Sequence, residues 1–364
     1  MKHLLDEIRH NPLLWLLALV PVVLFVQFLN TEAHTLLFLL SVAAIVPLAA
    51  LLSRATESVA SKTGDMIGGL LNATLGNLTE LLIALTALRA GQYVLVKASI
   101  IGAIVTNTLF MLGASFLLGG LNHHVQEFNR NTARLQAGLL FLATIAMLIP
   151  SMLAEADATS TNPAFTHSLS VGLSILLIIT YALGLVFSLK THREFFASAE
   201  HGEPGEPTWP LRLALVTLAA VTVLVALVSE VFVESVQQAA VALGITPAFV
   251  GVIIVALVGG AAEMVSAFSA ARKNKLDLSV GIALGSAVQI ALFVAPVLVL
   301  LSYVIGPTPM DLQFWRGAVA MTVIAAITAS LVTNSGRSAW FLGILVVIVY
   351  VIFGMTLYML PPRT

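Results

Sequence analysis

The sequence predicts an all-α integral membrane protein of eleven transmembrane helices, one N-terminal helix followed by two inverted five-helix repeats. Three observations carry this. First, 59% of the 364 residues are hydrophobic and 10% are charged, with a mean hydropathy of +1.01, whereas a soluble domain carries about 25% charged residues. Second, the apolar residues gather into runs of the length that spans a bilayer as helix, roughly 17–25 residues. Third, a constant offset of 183 residues superposes Gly76 on Gly259, Glu80 on Glu263, Ala84 on Ala267, Ala87 on Ala270, Arg89 on Arg272, Gly102 on Gly285, Val105 on Val288, Leu109 on Leu292 and Phe110 on Phe293, the mark of an internal repeat.

Taken in order, the first run, 12–29, follows a short polar segment without an Ala-x-Ala cleavage site and reads as a retained helix. Runs near 35–53, 65–88, 94–119, 135–153 and 169–189 form the first set of five, and runs near 211–232, 248–271, 277–301, 315–333 and 339–360 form the second. Asp65 after Gly64, Thr246-Pro247, Asp277 and Asp311 stand where N-caps or first-turn residues belong. The chain thus divides into an N-terminal helix (1–30), a first repeat (31–189), an acidic linker (190–210) and a second repeat (211–364).

Five is odd, so the second set enters the membrane with opposite polarity. Cytoplasmic loops carry the excess of Lys and Arg. With the N-terminus inside, only Arg89, Lys97, Arg316 and Arg363 of the 17 basic residues face out, which predicts a cytoplasmic N-terminus and an external C-terminus. Two halves related in this way can expose one central site to each side of the membrane in turn.

Chemistry concentrates in two Gly-x-x-x-Glu elements, Gly76-Asn77-Leu78-Thr79-Glu80 and Gly259-Gly260-Ala261-Ala262-Glu263. A carboxylate inside an apolar span costs at least about 2.5 kcal/mol and is kept where it handles an ion, a proton or a buried partner. On one helix Asn72, Gly76 and Glu80 share a face, with Asn77 beside it; Gly259 and Glu263 do the same in the second repeat. Glycine weakens the helix and admits a neighbouring backbone. Two carboxylates with freed carbonyls of Gly76 and Gly259 form an oxygen cage of the kind hard cations such as Ca2+ prefer, with about 6–8 oxygens. There is no cysteine, and all eight histidines fall in loops or at span ends, against a midplane site for softer metals. A net charge of −1 offers no basic patch for nucleic acid. An intramembrane enzyme with a carboxylate dyad is the reading from another class. It would ordinarily use Asp and needs no inverted repeat.

The segments Gly-Asn-Leu-Thr-Glu with Lys97-Ala98-Ser99-Ile100-Ile101-Gly102, and Gly-Gly-Ala-Ala-Glu with Lys273-Asn274-Lys275-Leu276-Asp277-Leu278-Ser279 and Gly285-Ser286-Ala287-Val288-Gln289-Ile290, closely resemble the two repeats of the cation/proton exchanger (CAX) family, within the calcium/cation antiporter superfamily. Family members often show Gly-Asn-Ala-Ala-Glu-His in the second repeat; here Gly260 and Met264 stand at the Asn and His positions, and Ala103 stands where many members have Ser. The resemblance implies a secondary antiporter, not an enzyme, that exchanges Ca2+ for H+ with Glu80 and Glu263 as ligands. Exchange of Na+, K+ or Mn2+ on the same fold is the alternative. No cofactor is implied, since Ca2+ is the cargo. The implied setting is the lipid bilayer of a bacterial inner membrane, and assembly as a homo-oligomer stays open.

Asn72, Asn77, Thr106, Asn107, Ser286 and Gln289 are candidate supporting polar groups, with interhelical hydrogen bonding as their alternative role. Glu230 is a candidate mouth or relay carboxylate, or an interfacial residue, as are Glu57 and Glu234. In the linker, His192, Glu194, Glu200, His201, Glu203 and Glu206 are candidates for sensing Ca2+ or pH, against a plain solvated connector.

Overall fold

The computed structural model describes residues 8–9, 11–63, 65–156, 163–192 and 209–359. The chain runs through α1 (Pro12–Leu29), α2 (His34–Ala60), α3 (Asp65–Leu75), α4 (Leu78–Arg89), α5 (Tyr93–Asn122), β1 (Gln126–Glu127), α6 (Arg130–Ala156) and α7 (Phe165–Thr191). It continues through α8 (Leu211–Leu243), α9 (Pro247–Gly259), α10 (Ala261–Arg272), α11 (Leu276–Ile305), α12 (Arg316–Thr333), β2 (Arg337–Ser338) and α13 (Trp340–Met359). Among the described residues, nine helices are long and apolar enough to cross a membrane, and α9 with α10 makes a tenth if the pair, bent by 60°, counts as one span.

Local chemistry explains the boundaries. Asn11 accepts a hydrogen bond from Leu13 N at 3.1 Å ahead of Pro12, and Thr246 accepts one from Phe249 N at 3.1 Å ahead of Pro247, both N-cap arrangements. Gly244 closes α8 in the left-handed region, at φ 67°. Several helices outrun their apolar segments. The run expected at 35–53 lies in a helix ending at Ala60, and the run at 211–232 in one ending at Leu243. Their polar extensions, with Arg54, Glu57, Gln237 and Gln238, keep good helix formers although hydropathy has fallen.

The expected helix over 65–88 is interrupted at Gly76-Asn77, and that over 248–271 at Gly260. The two breaks stand at equivalent places under the 183-residue offset. Two further irregularities match as well. A π-helical turn occupies Thr106–Met111 inside α5 and another occupies Ile290–Val294 inside α11; adding 183 to 106 gives 289, one residue away.

Burial ranks the helices. In their most apolar windows, 83% of α5 and 61% of α11 is buried, against 17% for α1 and α7. The two central helices therefore stand inside a shell whose outer faces carry exposed apolar side chains such as Phe28, Ile175, Val216 and Ile352. α5 crosses α9 closely where Gly102 meets the backbone of Gly251 and Val252, and Gly251 meets Ala98. α2 and α8 pack along each other, with Phe38 and Phe232 stacked at 5.5 Å.

Loops tie the ends of the bundle. On the Arg-rich side, β1 and β2 pair antiparallel, Glu127 opposite Arg337, with a 2.7 Å ion pair. At the other end Lys97 reaches Asp311 at 2.5 Å. Three serines from three helices hold the same loop: Ser302, Ser170 and Ser151 accept from the N–H groups of Met310, Leu312 and Phe314 at 2.7, 3.0 and 2.9 Å.

Candidate ion-binding site

The breaks decide where the carboxylates sit. Glu80 is the third residue of α4 and Glu263 the third residue of α10, so each lies in the first turn of a half-helix. There the free backbone N–H groups and the helix dipole favour negative charge. At the preceding ends, Gly76 N donates to Asn72 O at 2.8 Å and Gly260 N to Ala256 O at 3.1 Å. Carbonyls in the last turn of a helix lack intrahelical partners. Gly76 and Gly259 stand at those ends.

The glycines also make room for side chains from the opposite half. A Cβ on Gly259 would lie 2.9 Å from Glu80 Cγ and 3.2 Å from its Oε1. A Cβ on Gly76 would lie 3.3 Å from Gln289 Oε1. Each glycine thus carries a polar side chain of the other half over its bare backbone, which spacing along one helix cannot show.

A chain of hydrogen bonds runs beside the carboxylates. Asn107 Nδ2 donates to Ser286 Oγ at 2.8 Å, and Ser286 Oγ donates to Asn77 Oδ1 at 2.7 Å. The Ser286 side chain also lies against Glu263. Glu263 Oε2, Asn77 Nδ2 and Gln289 Nε2 are buried without a hydrogen-bond partner. Buried polar atoms are ordinarily paired, so an unmatched carboxylate oxygen is suited to a cation or a proton. Among the described residues no group of three or more His, Cys, Asp or Glu side chains could hold a metal ion together, so at most two carboxylates would face a cation here and its other ligands would be neutral oxygens.

The structure sorts the remaining candidates. Asn77, Asn107 and Ser286 join in one hydrogen-bonded chain, and Gln289 lies over Gly76. Thr106 turns instead to α13 and donates to Tyr350 OH at 3.2 Å. Asn72 is exposed on α3, one turn before Gly76. Glu230 is exposed on α8, and Glu234 accepts from Gln27 at 2.9 Å. Glu57 is exposed on α2, where Ser53 donates to it at 3.4 Å and Arg54 pairs with it at 3.8 Å, contacts that no motif marks. Tyr350 also escaped sequence reading, since a lone tyrosine in an apolar run carries no spacing signal. In the linker, His192 stacks on Phe187 at 4.2 Å; Glu194, Glu200, His201, Glu203 and Glu206 lie outside the described residues.

Comparison with known proteins identifies the family and the fold. Residues 33–190 and 213–359 match the sodium/calcium exchanger protein family. The chain is 38% identical over 360 residues to a Ca2+/H+ antiporter of Aphanothece halophytica, covering 95% of this chain and 96% of that protein. It is 42% identical over 328 residues to the Ca2+/H+ antiporter ChaA of Bacillus subtilis, covering 89% and 92%. The solved structure of native YfkE superposes with a TM-score of 0.83 at 36% identity, covering 96% of this chain and all of that one. The H+/Ca2+ exchanger CAX shares the fold, with a TM-score of 0.72 at 16% identity and coverage of 95% and 91%.

Proposed function

Because the chain belongs to the sodium/calcium exchanger protein family, we propose that it is a secondary antiporter that moves Ca2+ in one direction and H+ in the other by alternating access. Full-length similarity to Ca2+/H+ antiporters supports the ion pair. The observation that carries the mechanism is the meeting of Glu80 with Gly259 at the break of the opposite half, with Glu263 Oε2 left unmatched.

In this reading the chain has eleven spans, α3 with α4 and α9 with α10 each counting as one broken span. They are arranged as an N-terminal helix and two inverted repeats, 31–189 and 211–364, joined by the linker 190–210. Matching breaks and matching π-turns support the repeat. Glu80 and Glu263, with Gly76 and Gly259 carbonyls, bind Ca2+ when ionised and carry protons when neutral. Asn77, Asn107, Ser286 and Gln289 hold the carboxylates in place. The protein sits in a bacterial inner membrane with its N-terminus in the cytoplasm and C-terminus outside.

The test is flux into proteoliposomes. An acid interior should drive Ca2+ uptake as protons leave, and an acid exterior should drive its release. Uptake of Mn2+, Na+ or K+ in place of Ca2+ would move the assignment to another cation, and no pH-driven flux of any cation would remove it.

A further inference from the structure

α13 runs antiparallel along α5 on a seam of glycines. Gly120 meets the backbone of Trp340, and Gly343 meets Leu117 and the Gly113 carbonyl. A Cβ on Gly113 would lie 3.0 Å from Gly343 O, Val346 and Val347. Residue 120 faces 340, 113 faces 343–347, and one heptad further 106 faces 350. At this third level a hydrogen bond replaces glycine contact, as Thr106 Oγ1 donates to the Tyr350 oxygen at 3.2 Å. Both residues are buried, and the Tyr350 ring lies 5.2 Å from that of Phe110. Among the described residues, Thr106 is the hydrogen-bond partner of the hydroxyl.

Thr106 opens the π-turn of α5 and Asn107 follows it. Neighbouring residues on a helix point about 100° apart, so holding Thr106 towards α13 leaves Asn107 directed at Ser286 on α11. A π-turn interrupts the regular i→i−4 ladder and is found mostly at functional sites; here its first residue carries the side-chain contact to α13. The other half has a related device. Phe293, the partner of Phe110 under the 183-residue offset, lies in the π-turn of α11 and stacks on Tyr181 of α7 at 5.5 Å.

We propose that Tyr350 is a positioning residue for cation binding: through Thr106 it sets the π-turn that aims Asn107 at Ser286, and so orders the Asn107–Ser286–Asn77 chain beside Glu263. The inference rests on the cation-exchange reading above. Tyr350 touches no ion itself. Its hydroxyl acts on affinity by keeping the supporting chain ordered before the cation arrives.

The experiment is a double-mutant cycle on the full chain in proteoliposomes, using the cation that wild type exchanges. Loss of one ordinary intramolecular hydrogen bond corresponds to about a three- to tenfold effect. Tyr350→Phe should therefore raise the half-saturating cation concentration about three- to tenfold while the maximal rate stays within about twofold. Thr106→Val should do the same, and the double variant should be no worse than the worse single. Tyr358→Phe, an exposed position on α13, is the control and should leave both parameters unchanged. Unaltered half-saturation in Tyr350→Phe, additive effects in the double variant, or a fall confined to the maximal rate each overturn the proposal. Absence of wild-type exchange of any cation overturns the functional reading instead, and this inference with it.

Discussion

Glu80 lies across the bare backbone of Gly259, its Cγ 2.9 Å and its Oε1 3.2 Å from where a Cβ would stand. Glu80 begins one half-helix and Gly259 ends another, 179 positions away in the sequence. Their contact brings one carboxylate to the helix break that precedes the other, and it requires glycine for space. Gly259→Ala should displace Glu80 while leaving every ionisable group in place. Overpacking of this kind costs about 1–3 kcal/mol, a five- to hundredfold rise in half-saturating Ca2+ measured by uptake. Gly138→Ala and Gly172→Ala, where an added Cβ meets nothing within 4 Å, should behave as wild type. Equal behaviour of all three variants would show that Glu80 does not depend on this gap.

Glu80→Gln and Glu263→Gln should each abolish exchange with the protein still inserted and folded. Gln keeps the size and the hydrogen bonds but neither ionises nor releases a proton. Removing one charged partner from a buried ionic site costs about 3–5 kcal/mol, so pH-driven Ca2+ uptake should fall more than a hundredfold. Near-normal uptake by both variants would remove the pair from the mechanism.

The carboxylates, the glycines and the helical spans were legible in the sequence because each breaks a strong expectation: charge in an apolar run, or glycine repeated at a fixed offset. The interruption of both glutamate-bearing helices was only half legible. Glycine signals a weak helix, but whether the chain bends there depends on what packs against it. The π-turns, the small sheet between Gln126–Glu127 and Arg337–Ser338, and the contact of Thr106 with Tyr350 were hidden, since each arises from contacts between residues far apart in the chain. Thr106 shows the limit most clearly. Its neighbour Asn107 joins the site, while it turns one residue's rotation away to a different helix.

The Lys97–Asp311 pair anchors the loop after α11 to the start of α5. The side chains are 18% and 24% exposed, so the pair gains less than a buried one and more than a solvated one. Asp311→Asn keeps an oxygen able to accept from Gln313 N, which Asp311 now does at 2.9 Å, and removes only the charge. The loss should be about 1 kcal/mol, read as a drop of roughly 1–3 °C in the unfolding midpoint in detergent. Lys97→Met should match it, and the double variant should be no less stable than the lower single. Additive losses would mean that the two residues act independently.

If Glu80 and Glu263 are the only groups that exchange protons, the loaded states are one Ca2+ with two ionised carboxylates and two protons with two neutral ones. Both carry the same net charge, so exchange should be electroneutral. A potential, worth about 2.3 kcal/mol per charge per 100 mV, then adds nothing, while one unit of pH difference supplies about 2.7 kcal/mol for two protons. That balances a Ca2+ ratio of about a hundred, with Ca2+ accumulating on the more acidic side. The measurement is the pH difference that just holds a fixed Ca2+ ratio, with and without a potential clamped by valinomycin and K+. A steeper gradient requires a third proton carrier. Glu57 on α2 and Glu230 on α8 are both exposed carboxylates within their helices, so both are to be examined. A balance point that shifts with voltage by one charge per Ca2+ would overturn the two-carboxylate scheme, and loss of that shift in Glu57→Gln or in Glu230→Gln would identify the third group.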